Sequence, residues 1–183
     1  KGVADFKYSL DWALPYKEIS QIELDLRQAT QSLDAALTRS LLTKFKALVY
    51  SSSSIYLCAT SESQYILMEL FSYLLLKKGF PTSRIRITLA SELTTMIFER
   101  LSRQSLVIFF SANAKSTVVR SAILNLNKRE ISTILITQYS NDALEKEVKL
   151  LLAMNFPSHL PSLSRYRLGL SSLFINYLVE KAL

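Results

Sequence analysis

Leu106-Val-Ile-Phe-Phe110 runs directly into Ser111-Ala-Asn-Ala-Lys-Ser116, and from there into Val118, Val119, Ala122, Ile123 and Leu126. Five consecutive apolar residues, β-branched and aromatic among them, read as a buried strand. The spacing of the apolar residues that follow is that of one helix face. Between the two lies a turn carrying two Ser hydroxyls, an Asn amide and a Lys ammonium. A helix start has unpaired backbone N–H groups and the positive end of the helix dipole, so this turn is suited to an anion such as phosphate. Hydroxyls at strand-to-helix turns are also ordinary caps, which is the alternative use of the same residues.

The arrangement occurs once more upstream. Ser54-Ile-Tyr-Leu-Cys-Ala59 reads as a short apolar strand, Thr60-Ser-Glu-Ser63 as a hydroxyl turn, and Ile66, Leu67, Leu70, Leu74 and Leu75 as a helix face. In open parallel sheets ligands sit beyond the carboxyl ends of the strands, where the first turns of the following helices converge. Two such turns in one domain therefore suggest one shared site. Its candidate ligand-binding residues are Ser61 and Ser63 from the first turn, and Ser111, Asn113, Lys115 and Ser116 from the second.

Strand and helix patterns alternate from Ser54 onward. Strands are expected at 54–59, 84–89, 105–110, 132–137 and 150–154, and Gly79-Phe-Pro81 ends the first intervening helix. Further helices are expected at 91–101, 117–128, 142–146 and about 164–182. The alternation predicts a parallel sheet with helices on both faces. Before it, Ser20-Gln-Ile-Glu23 fits a capping box. Ile22, Leu26, Ala29, Leu33, Leu37, Leu41 and Leu48 then recur at helical spacing, as one long helix or two end to end. A short helix at 4–13, ended by Pro15, is expected to precede them.

With 183 residues, 49% of them hydrophobic, the chain can bury one substantial core. Its longest apolar runs are too short to cross a bilayer and no signal-peptide pattern follows Lys1, so the chain reads as soluble and cytoplasmic. The single cysteine, Cys58, excludes an intramolecular disulfide and a cysteine metal cluster, and its apolar strand reads as the setting of a buried structural thiol. The net charge of +7 favours anions, but the cations are scattered. Lys77-Lys78, Arg84 with Arg86, Lys128-Arg129 and Arg165 with Arg167 are only small pairs, read as solvated helix ends, and form no nucleic-acid stripe. His159, between Pro157 and Pro161, has no partner at ligand spacing, so neither a metal nor a cofactor is expected.

Three segments resemble the sugar isomerase (SIS) domain of RpiR-type bacterial transcription regulators. Ile55-Tyr-Leu-Cys-Ala-Thr-Ser-Glu-Ser63 is similar to that family's strand followed by Gly-x-Gly-x-Ser. Val107-Ile-Phe-Phe-Ser-Ala-Asn-Ala-Lys-Ser116 is similar to its strand followed by Ser-x-Ser-Gly-x-Thr, and Ile134-Leu-Ile-Thr137 to its strand ending in Thr. Lys1-Gly-Val-Ala-Asp-Phe-Lys-Tyr-Ser-Leu10 resembles the end of the helix-turn-helix domain that precedes the SIS domain in these regulators. The resemblance implies a five-stranded parallel doubly wound sheet flanked by helices and preceded by a helical segment. It divides the chain into a helix-turn-helix remnant at 1–14, a helical connector at 15–50 and an SIS domain at 51–183. It also implies homodimerisation, or a higher homo-oligomer, through SIS helices, a phosphosugar effector, and operator DNA bound by an N-terminal domain not contained in these residues. Ser63, Ser111 and Ser116 match phosphate-contacting hydroxyls of the family, and Asn113 stands at its second Ser. Ala59, Ser61 and Ala114 stand where the family has glycine. If those positions required positive φ, each would cost about 1 to 2 kcal/mol, so these turns are expected to have a different shape.

The leading expectation is thus an effector-sensing and dimerisation domain of a regulator of sugar metabolism, with no catalytic residues. The alternatives are a sugar-phosphate isomerase-like enzyme, for which Glu62 and His159 are the obvious proton-transfer candidates, and an SIS dimerisation domain that has lost its ligand.

Overall fold

The computed structural model describes residues 16–87, 92–112, 116–140, 142–155 and 167–183. Two helices, α1 (Tyr16–Ala36) and α2 (Arg39–Tyr50), lead into an alternating series: β1 (Ser54–Ala59), α3 (Glu62–Lys77), β2 (Thr82–Arg86), α4 (Glu92–Glu99), β3 (Ser105–Ser111), α5 (Thr117–Lys128), β4 (Ser132–Thr137), α6 (Asp142–Glu145), β5 (Leu150–Ala153) and α7 (Arg167–Ala182). The five strands form one all-parallel sheet in the order β2-β1-β3-β4-β5. The chain winds outward from β1 to one edge and from β3 to the other, so the topological switch point lies between β1 and β3.

The strands bury both faces, as a covered parallel sheet requires. On β3 every residue is buried; Leu106, Ile108 and Phe110 enter one core, Val107 and Phe109 the other. The first core is completed by α1, α2, α3 and α7, the second by α4, α5 and α6. Phe71 of α3 ties the first core together, its ring 6.2 Å from Phe45 of α2 and 5.6 Å from Phe110 of β3. Cys58 is fully buried in the second core, and desolvation pushes its thiol pKa well up, as the structural reading expected.

The strand and helix order matches the sequence reading, with differences at the ends. β2 begins at Thr82, two residues early, because Thr82 pairs with Ile55 and its Oγ1 bonds Ser72 Oγ at 2.7 Å. The long apolar stripe is two helices, broken at Leu37–Thr38, where Thr38 adopts extended backbone and accepts a hydrogen bond from Leu41 N–H. Ser20 lies inside α1 and starts no helix, since Tyr16 to Ile19 upstream of it contain nothing that breaks one. The helix expected at 4–13, and Pro15, lie outside the described residues.

Candidate functional site

Everything in the candidate site hangs from the carboxyl edge of the sheet. Ala59 ends β1 beside Phe110, and one residue further on Thr60 leaves β1 while Ser111 closes β3. Ser111 pairs in turn with Thr137, the last residue of β4. Neighbouring strands lie about 4.8 Å apart, so the turns after β1, β3 and β4 stand side by side across the switch point. Backbone hydrogen bonds extend this edge past the strand ends. Ile87 N–H donates to Ala59 C=O at 2.8 Å, Gln138 N–H to Ala112 C=O at 3.2 Å and Met154 N–H to Thr137 C=O at 2.9 Å.

Among the described residues, three helices of twelve residues or more begin at this edge. Ser61 is the N-cap residue of α3, in extended backbone, but its side chain caps no backbone N–H; its hydroxyl lies 3.5 Å from that of Ser63. Both serines are exposed. Ser116 does cap α5, accepting from Val119 N–H at 3.4 Å. The third helix is α7. Arg167, its first residue, lies over the ring of Tyr139 just past β4, 5.9 Å from the centroid, while Lys78 and Glu180 form an ion pair at the far ends of α3 and α7. α3 and α7 therefore run parallel, and both point their positive ends to the carboxyl edge.

The structure thus gathers Ser61, Ser63, Ser111 and Ser116 along one edge; Asn113 and Lys115, with Ala114 and His159, lie outside the described residues. Ser111 is 3% exposed, whereas Glu62 projects into solvent beside the first turn. Thr137 is buried and its hydroxyl donates toward the carbonyls of Ala112, at 3.4 Å, and Tyr139, at 3.2 Å, which fixes the turn after β4 to the turn after β3. Asn155, at φ 48°, accepts from Ser140 N–H at 3.0 Å and does the same between β5 and that turn. The absent glycines have a conformational answer where the chain is described. Ala59 lies in the strand and Ser61 has φ −138°, so neither position calls for left-handed backbone. Residue spacing missed Arg86 and its stacking partner Tyr65, 4.4 Å apart, because the strand register that sets Arg86 beside Ala59 is not a local property.

No protein-family model matches the sequence, and neither does any curated protein. The fold, by contrast, has many solved counterparts. A protein from Bacteroides fragilis described as a phosphosugar isomerase involved in capsule formation superposes with a TM-score of 0.70 at 15% identity, over 90% of this chain and 89% of that one. The sugar isomerase domain of an RpiR transcription factor from Sphaerobacter thermophilus gives 0.68 at 16% identity, over 90% and 88%. The Vibrio vulnificus NanR protein complexed with ManNAc-6P gives 0.64 at 18% identity; the match covers 90% of this chain but 64% of NanR. The chain is a domain of the sugar isomerase fold, the fold these regulators and isomerase-like proteins share.

Proposed function

We propose that this chain is the effector-sensing and dimerisation domain of a bacterial DNA-binding regulator of sugar metabolism, and that its effector is a phosphosugar. The observation that carries the reading is the convergence of hydroxyl-bearing turns and the N-termini of α3, α5 and α7 on one sheet edge at the switch point. Backbone N–H groups, helix dipoles and small hydroxyls recognise a phosphate without committing the site to chemistry on the sugar. Support for a regulator comes from the likeness to the RpiR and NanR domains, the latter complexed with a sugar phosphate. In this reading residues 1–14 are the end of a helix-turn-helix domain, 15–50 a helical connector and 51–183 the sensing domain. The protein acts as a homodimer in the cytoplasm, and a two-fold axis suits a palindromic operator.

A thermal-shift series over hexose and pentose phosphates, with the parent sugars and inorganic phosphate as controls, tests the ligand. A sugar phosphate at 100 times its Kd stabilises the native state by about 2.7 kcal/mol, a readily measured rise in Tm. No response across the series would leave an SIS dimeriser without an effector. The isomerase reading is favoured by neighbours described as phosphosugar isomerases and by the Glu62 carboxylate beside the first turn. Coupled isomerase assays decide between them: turnover above background that disappears in Glu62→Gln or His159→Ala would establish the enzyme. Sedimentation at micromolar concentration tests the dimer, and a monomer there would refute it.

A further inference from the structure

Arg84 and Arg86 sit two residues apart on β2 and so project from the same side of this edge strand, while Ile85 and Ile87 enter the second core. The two arginines have different fates. Arg84 forms an ion pair with Glu69 of α3. Arg86 forms no ion pair among the described residues; its guanidinium lies over the ring of Tyr65, 4.4 Å from the centroid. Tyr65 is 7% exposed, in the first turn of α3, and its amide donates to Ser61 C=O at 2.9 Å, so the ring is a fixed platform. A ring contact takes up none of the five N–H donors of a guanidinium, and those donors match two phosphate oxygens at once.

The position is equally specific. Arg86 pairs with Ala59, the residue before the Thr60–Ser63 turn, so the stacked cation stands beside that turn. The turn itself contains no cation and one exposed carboxylate, Glu62, which repels an anion. We propose that Arg86, held on Tyr65, is the residue that anchors the phosphate of the ligand at the β1–α3 turn, supplying the charge that this turn lacks. The assignment rests on the phosphosugar reading above and adds to it a specificity determinant that selects phosphorylated sugars over the parent sugars.

Calorimetric titration of the whole chain with glucose 6-phosphate, glucosamine 6-phosphate, ManNAc-6P and arabinose 5-phosphate tests it, with the parent sugars and inorganic phosphate titrated in parallel. Relative to the native protein, Arg86→Gln weakens the bound sugar phosphate tenfold or more, the loss expected for hydrogen bonds to a charged group. Arg86→Lys recovers part of that affinity. Arg84→Gln removes the same charge from the same strand and changes affinity less than twofold. Melting of the unliganded variants confirms that Arg86→Gln is folded. If the native protein binds and Arg86→Gln binds within twofold of it, or loses no more than Arg84→Gln, the anchoring role is overturned while the phosphosugar reading stands. If the native protein binds none of the four, both are overturned.

Discussion

Ser116 has two uses that substitutions can separate. Its hydroxyl caps α5 through Val119 N–H, and in the proposed function it also contacts the phosphate. Ser116→Ala loses the cap, which costs about 1 kcal/mol. In a chain of this size that lowers Tm by about 2 to 4 °C, measurable by circular dichroism without ligand. Ser116→Asp keeps a capping oxygen and holds Tm, but sets a negative charge against the phosphate and abolishes the ligand-induced shift. The thiol of Cys58 is fully buried, and desolvation pushes its pKa up. A thiol reagent at pH 8 therefore leaves native Cys58 unmodified and labels it in denaturant. The sign of its pH linkage follows. With the folded pKa above the unfolded value of about 8.5, its contribution is intact below that pH. As pH rises further, the unfolded chain ionises first and stability falls by up to about 1.4 kcal/mol per pH unit.

At the scale of elements, the helix ends show where backbone conformation limits the sequence. Just past the end of α3, Gly79 N–H reaches Leu76 C=O, and the φ of 87° at Gly79 turns the chain so that Phe80 N–H reaches Leu75 C=O, both at 2.9 Å. α5 ends in the same manner, with Ile131 N–H on Leu126 C=O at 3.1 Å, but the left-handed residue there is Glu130, at φ 60°. A side chain in that region costs about 1 kcal/mol or more. Glu130→Gly is thus expected to raise Tm by a few degrees, even though it loses the exposed Arg103–Glu130 ion pair, which is worth less. Gly79→Ala is expected to lower Tm by a similar amount, although its added Cβ would meet nothing within 4 Å. A pair of thermal melts with opposite signs checks both.

The molecule as a whole is organised around the first core, in which α1, α2, α3 and α7 pack on the sheet with the aromatic contacts of Phe71 at its centre. Ala29 and Leu33 of α1, Leu37 at the break between the helices, and Phe45 and Val49 of α2 are buried in that same cluster. Phe71→Ala, which leaves a cavity touching α2 and the sheet at once, is expected to cost about 3 to 5 kcal/mol. Because α1, α2 and the sheet share the core, the loss should appear as one cooperative denaturant transition at a lower midpoint, with no separate early unfolding of α1 and α2. Far-ultraviolet circular dichroism and tyrosine absorbance give coincident curves if the coupling is as tight as this packing.

Periodicity alone located all five strands, because buried parallel strands such as Leu106 to Phe110 are continuous apolar runs bounded by turn residues. It also located the two hydroxyl turns, which are local patterns of residues adjacent in the chain. The capping-box signal at Ser20 failed for the converse reason: a local pattern carries no information about whether the helix has already begun upstream. What no local pattern contains is lateral position. That Ala59, Ser111 and Thr137 end neighbouring strands, that α7 starts where α3 starts, and that Arg86 lies beside Ala59 over Tyr65 while Arg84 is taken up by Glu69 are consequences of strand order and register. The sequence by itself determined which segments are strands and helices and which turns carry hydroxyls, since these depend on the spacing of neighbours along the chain. Only the tertiary structure decided which turns meet and which cation stands beside them, because burial of two apolar faces, acting on residues far apart in sequence, sets the order in which the strands assemble.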